Sequence, residues 1–182
     1  MGKSKKPSKG LKVFTDSTLK IFDPTFTQYG FEQHLIKLEE YFVKIIYRKD
    51  NQYVKISGSI YPTDYPYSYN VILGDGDSDD FWESDWNSIA LWKIKNKINP
   101  ELKPLEYDFP FGNSVSPSLK KANQELIKYA KEFLNGDLEL FIKIRKEQNN
   151  EREPYKIHSP DENGNYKTTD EPKSVEQKKK YS

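Results

Sequence analysis

The residues best suited to binding or chemistry form an acidic run that begins at Asp75. Its carboxylates are Asp75, Asp77, Asp79, Asp80, Glu83 and Asp85, and the aromatic side chains interleaved with them are Phe81, Trp82 and Trp86. Carboxylates at alternate positions open the calcium-binding loop of an EF-hand. Here Asp80 stands where that loop needs glycine, and Trp86 stands where it needs glutamate. The run therefore does not predict an EF-hand, and an irregular calcium or magnesium site is left as an alternative.

Carboxylates mixed with large aromatic side chains are also typical of a protein interface. A few buried aromatic residues inside a polar rim supply most of the binding energy of such interfaces. The negative charge of the run favours a basic partner through complementary steering. We predict a partner-binding loop made of these nine residues together with Tyr65. A solvated loop, kept soluble by its charges, is the simpler alternative.

The composition argues against several kinds of catalytic site. The chain has no cysteine, and its only histidines are His34 and His158. Thiol catalysis and cysteine-based metal sites are therefore excluded, and a serine–histidine–aspartate triad is disfavoured. We assign no catalytic residue, no metal ligand and no cofactor. A carboxylate pair of a glycoside hydrolase, or a carbohydrate- or metal-ligand-binding site in the same run, remains an alternative.

The charge pattern bears on partners and location. The net charge is +1, and the only arginines among 182 residues are Arg48, Arg145 and Arg152. Base-specific recognition relies on arginine side chains, so specific nucleic-acid binding is not expected. No apolar run suggests a signal peptide or a membrane span. We expect a cytoplasmic protein that does not associate with a membrane.

The tyrosines of the segment SIYPTDYPYSYN, residues 59–70, are predicted to serve structure. Tyr67 and Tyr69 have strand spacing, which favours aromatic pairing across a sheet. Tyr61 and Tyr65 each precede a proline and are expected at the rim of a turn. Stacking on sugars is a minor alternative.

The composition divides the chain into three regions. Residues 1–10 form a basic tail, and residues 146–182 form a polar tail with few large apolar groups. Such segments bury too little surface to offset the entropy lost on ordering. Residues 11–145 contain every Trp and Phe and are predicted to form one domain. In one alternative function, the tails mediate assembly of a structural or accessory protein.

Apolar periodicity predicts an antiparallel sheet. Residues 41–48 and 52–61 read as strands joined by a turn at 49–51, and residues 68–74 read as a third strand. In the second strand, Val54 and Ile56 are predicted to face the core, with Lys55 in solvent. A fourth strand is expected at 87–95.

Two helices complete the prediction. Asp23 and Pro24 would begin a short helix that ends at Gly30. A long helix would begin at Ser116 and end at Gly136, and residues 137–148 would form a second helix or an edge strand. The apolar stripe of the long helix contains Leu119, Ala122, Leu126, Ile127, Ala130, Phe133 and Leu134. The predicted fold is α+β, an antiparallel sheet of about four to five strands with a long amphipathic helix packed on one face.

The order of these features resembles small bacterial immunity-type proteins of polymorphic toxin systems. The similar features are Tyr29-Gly30-Phe31 at a helix end, Trp86 with Leu91-Trp92 at a strand, and the late helix. The resemblance covers residues 23–134 and implies a cytosolic α+β domain that neutralises a toxin by covering its active surface. It adds no functional residue. Together these features predict a non-catalytic inhibitor that uses the acidic–aromatic loop against a basic partner.

Overall fold

The computed structural model describes residues 6–76, 86–102, 107–160 and 164–182. The helices in these ranges are α1 (Lys9–Gln28), α2 (Leu91–Ile98), α3 (Val115–Tyr129), α4 (Lys131–Asn135), α5 (Glu139–Asn150) and α6 (Pro172–Tyr181). The strands are β1 (Glu32–Leu38), β2 (Phe42–Lys49), β3 (Gln52–Ser59), β4 (Ser68–Asp75), β5 (Ser88–Ala90), β6 (Tyr107–Asp108), β7 (Lys156–Pro160) and β8 (Tyr166–Asp170). Short 3-10 turns lie at Pro62–Asp64 and Gly112–Ser114.

The main sheet is an antiparallel meander. Its strands lie in the order β1-β2-β3-β4-β5, and β6 pairs with the beginning of β4. Asp50 adopts a φ of 51° in the tight turn between β2 and β3, a conformation that Asp tolerates better than most residues. β7 and β8 form a separate hairpin. The predicted α+β fold with an antiparallel sheet is confirmed.

The apolar core lies between one face of the sheet and helices α1 and α3. Phe26 of α1 stacks on Tyr47 of β2 with ring centroids 4.1 Å apart. Phe14 of α1 meets Tyr69 of β4 edge-to-face at 5.2 Å. The helix predicted from Ser116 to Gly136 is two helices, α3 and α4, which are separated at Ala130. Its predicted apolar stripe is largely buried, as Leu119 and Leu126 show. Gly136 ends that region with a φ of 96°, the left-handed conformation that favours glycine.

The first helix is longer than predicted. It begins at Lys9, and the Ser8 hydroxyl caps it by accepting the Leu11 N–H at 3.2 Å. Pro24 therefore lies inside α1, and Asp23 is not an N-cap. Residues 8–10 belong to the folded domain because the apolar spacing that buries α1 already starts at Leu11. The predicted end is confirmed, since Gly30 follows the helix with a φ of 79°.

The second face of the sheet is not solvated as predicted. Lys55 is only 3% exposed, and Ile46 and Ile72, which pair with it across β2 and β4, are also buried. Tyr53 is fully buried, and its ring fills the space above Gly74. Polar and apolar residues alternate along β3 as in a strand with one solvated face, but this alternation does not reveal that the outward face of β3 is covered too.

The fourth predicted strand is mostly a helix. Only Ser88–Ala90 pairs with β4, and the chain then enters α2 at Leu91. Leu91 and Ile94 are buried at helical spacing, whereas Trp92 and Lys93 are partly exposed. The strand prediction was wrong after Ala90, because the periodicity of a short apolar run does not distinguish a strand from a helix.

The predicted polar tail is folded in its described parts. α5 runs from Glu139 to Asn150, so of the two alternatives for residues 137–148 the helix is confirmed and the edge strand is wrong. In α6, Ser174 and Tyr181 are 1% and 8% exposed, so this helix packs on the domain. Every residue of strands β7 and β8 is exposed. No helix in the described ranges has the length and apolar character required to cross a membrane.

Candidate functional site

The acidic run can be followed only at its two ends. Seven of the ten predicted binding residues lie outside the described residues: Asp77, Asp79, Asp80, Phe81, Trp82, Glu83 and Asp85. The predictions for these seven residues therefore stay predictions. The other three are Asp75, Trp86 and Tyr65, and they have very different surroundings.

Asp75 ends β4 and pairs with a buried arginine. The Arg145 guanidinium of α5 lies 3.2 Å from its carboxylate, and the Arg145 side chain is only 6% exposed. A buried guanidinium needs an opposite charge to offset its lost hydration. Asp75 therefore has a structural partner inside the protein.

Trp86 is fully buried, so it does not serve as an exposed anchor in this structure. Its indole N–H donates to the Ser174 hydroxyl of α6 at 3.2 Å. The Arg152 guanidinium lies over its ring, 4.2 Å from the centroid. The side-chain amide of Asn149, also fully buried, donates to the carbonyls of both Trp86 and Tyr181. The signal for this role lies in the C-terminal region, which composition alone assigned to a tail.

Tyr65 lies at the opposite end of the sheet and is 78% exposed. It precedes β4, whereas Asp75 ends the same strand, and the eight residues of that strand rise about 23 Å. The structure thus separates Tyr65 from the two ends of the acidic run.

Tyr65 belongs to a group of three exposed and two partly buried rings that we call the aromatic surface. Its members are Tyr41, Tyr61, Tyr65, Tyr67 and Phe111. Tyr61 and Phe111 are 50% and 49% exposed. Tyr67 connects Tyr65, at a centroid distance of 5.6 Å, with Phe111, at 6.4 Å. Tyr41 and Tyr61 form a second pair at 5.3 Å. Tyr61 and Tyr65 flank the turn Pro62–Asp64, as predicted. Of these rings, Tyr65 was predicted to bind a partner, whereas Tyr67 was predicted mainly to serve structure.

The ring geometry bears on the type of ligand. The planes of Tyr41 and Tyr61 meet at 88°, and those of Tyr65 and Tyr67 meet at 89°. Edge-to-face pairs do not provide the row of parallel faces on which successive sugars or bases stack. Each exposed ring is therefore available singly and not as part of a stacking row.

Two carboxylates lie beside these rings. The Glu40 carboxylate, through its hydrogen bond with the Tyr41 hydroxyl and its charge, raises the pKa of Tyr41. Asp64 lies in the turn between Tyr61 and Tyr65, and its carboxylate accepts a hydrogen bond from the Ser59 hydroxyl at 2.9 Å. A carboxylate and a tyrosine ring are the two kinds of group with which a lysine or arginine side chain interacts favourably.

The remaining depressions offer little for catalysis. The part of the chain that the structure describes contains no group of three or more His, Asp or Glu side chains able to hold a metal ion. One depression of about 480 Å³ lies beside the start of β1 and is lined by His34, Arg48 and Asp50 among others. Its open shape and mixed charges indicate no particular ligand.

Several buried tyrosines lie in the core rather than in a site. Burial raises the pKa of Tyr69 to about 12, while its hydrogen bond with Ser118 acts in the opposite direction. Burial and the hydrogen bond to Glu125 also raise the pKa of Tyr107. Both hydroxyls are held by neighbouring groups in the protein, so we assign them no binding role.

Comparisons with known proteins do not supply a family. The chain was compared with protein-family models, curated protein sequences and solved structures, and none of the three comparisons found a match.

Proposed function

We propose that this protein is a non-catalytic protein-binding protein whose partner docks on the aromatic surface. The observation that carries this proposal is the exposure of Tyr61, Tyr65 and Phe111, each about half exposed or more. Aromatic side chains are enriched in protein interfaces because they bury a large area for few rotatable bonds. The contacts of Tyr65 and Phe111 with Tyr67 limit the side-chain entropy that binding would cost.

The proposed partner presents a basic side chain. Glu40 and Asp64 lie beside the rings, so an arginine or lysine of the partner can contact a tyrosine face and a carboxylate together. An inhibitor of the immunity type would act in this way by covering a functional surface of its target. The acidic residues between 77 and 85 add a second negative segment to the chain.

The experiment compares matched variants of the full chain. The protein is immobilised, basic proteins are captured from the lysate of its native cell, and each candidate is then purified for calorimetry. We expect Tyr65→Ser/Phe111→Ser to weaken binding roughly tenfold or more, as the loss of two contact residues commonly does. Tyr166→Ser is the control because Tyr166 is equally exposed, at 77%, but lies in the β7–β8 hairpin.

The outcomes separate the candidate surfaces. A partner lost with Tyr65→Ser/Phe111→Ser and retained by Tyr166→Ser supports the proposal. Loss only with Trp82→Ala would move the interface to the acidic run and contradict the aromatic surface. If a glycan array, run in parallel, bound a sugar through Tyr65, the carbohydrate alternative would replace protein binding.

A further inference from the structure

Strand β1 forms an open edge of the main sheet. It pairs with β2 on one side, and no described strand pairs with its other side. The first six of its seven residues are exposed, and the last, Leu38, is partly buried. Leu35 and Ile36 are 36% and 38% exposed. An edge strand with exposed apolar side chains is a template for pairing with another strand.

The backbone of this edge is oriented for such pairing. Glu39 N–H donates to the Phe42 carbonyl at 2.8 Å at the closed end of the β1–β2 hairpin. Hydrogen-bonded and non-bonded pairs alternate along an antiparallel ladder. The backbone groups of Lys37 and Leu35 therefore point to β2, and those of Ile36 point away from the sheet.

A bulge sets which side chains share a face. The register with β2 shifts between Gln33 and Leu35. Glu32, Leu35 and Lys37 pair with alternate residues of β2 and so lie on one face, while Gln33 and Ile36 lie on the other. Without the extra residue, Glu32 and Lys37 would lie on opposite faces.

We infer that β1 pairs antiparallel with β1 of a second copy of this chain, around a two-fold axis at Leu35. Leu35 then meets its copy, Gln33 meets Ile36, and Glu32 meets Lys37 of the other strand. In each of these pairs both residues lie on the same face, as pairing requires. The Glu32–Lys37 contact occurs twice and joins opposite charges, which stabilises directly opposed residues in a sheet.

The pattern selects a second copy over an unrelated strand. A bulged strand cannot stay in register with a regular strand along its whole length. Beyond the extra residue, the side chains of the two strands would lie on opposite faces, and their hydrogen-bonding groups would no longer be opposed. An identical strand related by a two-fold axis carries the compensating bulge. Lys37 lies opposite Lys44 of β2, and its ammonium group already pairs with the Glu39 carboxylate at 2.9 Å on the exposed surface. Glu32 of the second copy adds another carboxylate on the outer side of Lys37. One strand pair buries less than the roughly 800 Å² per partner of a stable interface, so the dimer is expected to be weak.

Sedimentation equilibrium of the full chain, from micromolar to millimolar concentration, measures the association. We expect a reversible dimer that Glu32→Lys or Lys37→Glu alone weakens roughly tenfold, since each change replaces two attractive contacts by two repulsive ones. A mixture of the two single variants restores complementary pairs and should form a heterodimer. The double variant should dimerise like the unmodified protein. Lys120→Glu, a charge change at an exposed position of α3, is the control.

Each result decides the inference. The inference is supported if each single variant dimerises more weakly than the unmodified protein and the mixture of the two recovers the affinity. A chain that stays monomeric at millimolar concentration overturns it, and so does a dimer whose association is the same in all variants. Circular dichroism checks that every variant is folded, and neither outcome depends on the aromatic surface.

Discussion

Substitution of Trp86 distinguishes a core side chain from a surface anchor. Trp86→Ala removes a fully buried indole, which typically costs about 3–5 kcal/mol of unfolding free energy. It also removes the N–H donor to Ser174 and the ring beneath Arg152, and a hydrogen bond contributes about 1 kcal/mol. Because these terms overlap, we expect a total loss of about 4 kcal/mol. With a urea slope of about 2 kcal/mol per M, the unfolding midpoint falls by about 2 M.

The assay is urea unfolding followed by far-ultraviolet circular dichroism. Trp86→Phe retains most of the buried area and should lose only about 1–2 kcal/mol. Tyr166→Ala is the exposed control and should change stability by no more than about 0.5 kcal/mol. If Trp86→Ala matched that control, Trp86 would lie on the surface, and the packing of α6 against it would be refuted.

Three further changes test the packing around this core. Gly74→Ala should be strongly destabilising in thermal unfolding, because its Cβ would lie 2.0 Å from Tyr53; Gly10→Ala in α1 should instead be neutral or stabilising. Asn149→Ala should cost about 2–4 kcal/mol in urea unfolding, since two buried carbonyls lose their donor, and an unchanged midpoint would contradict this hydrogen bonding. The pKa of Tyr69 is raised to about 12 from 10.0, so its contribution to stability should be present below pH 10 and be lost as the pH rises towards 12. Urea unfolding across this range checks the sign: Tyr69→Phe should lose less stability than the unmodified protein.

Local sequence signals were sufficient where residues close together in the chain determine the backbone conformation. Gly30 and Gly136 end helices because both positions need a positive φ. The alternation of residues 52–61 identifies β3, and the Asp50 turn forces β2 and β3 to run antiparallel. These interactions act within a few residues, so the meander of the sheet was predictable.

The candidate site was less predictable because exposure depends on distant segments. Trp86 lies among carboxylates in the sequence, but Ser174 and Arg152 cover it in the structure. Tyr65 and Phe111 are far apart in the chain, and only the pairing of β6 with the start of β4 brings their strands together. No periodicity in either segment carries that information.

By itself the sequence determined an α+β domain, its antiparallel meander and the glycines that follow α1 and α4, since hydrophobic period and backbone conformation are local properties. The tertiary structure decided that the last segment folds onto Trp86, that both faces of β3 are covered, and that five aromatic rings gather at one end of the sheet. Among the strands that the structure describes, it also left β1 paired on one side only. The physical reason is that burial is a property of all the atoms around a side chain, and most of those atoms belong to residues distant in the sequence.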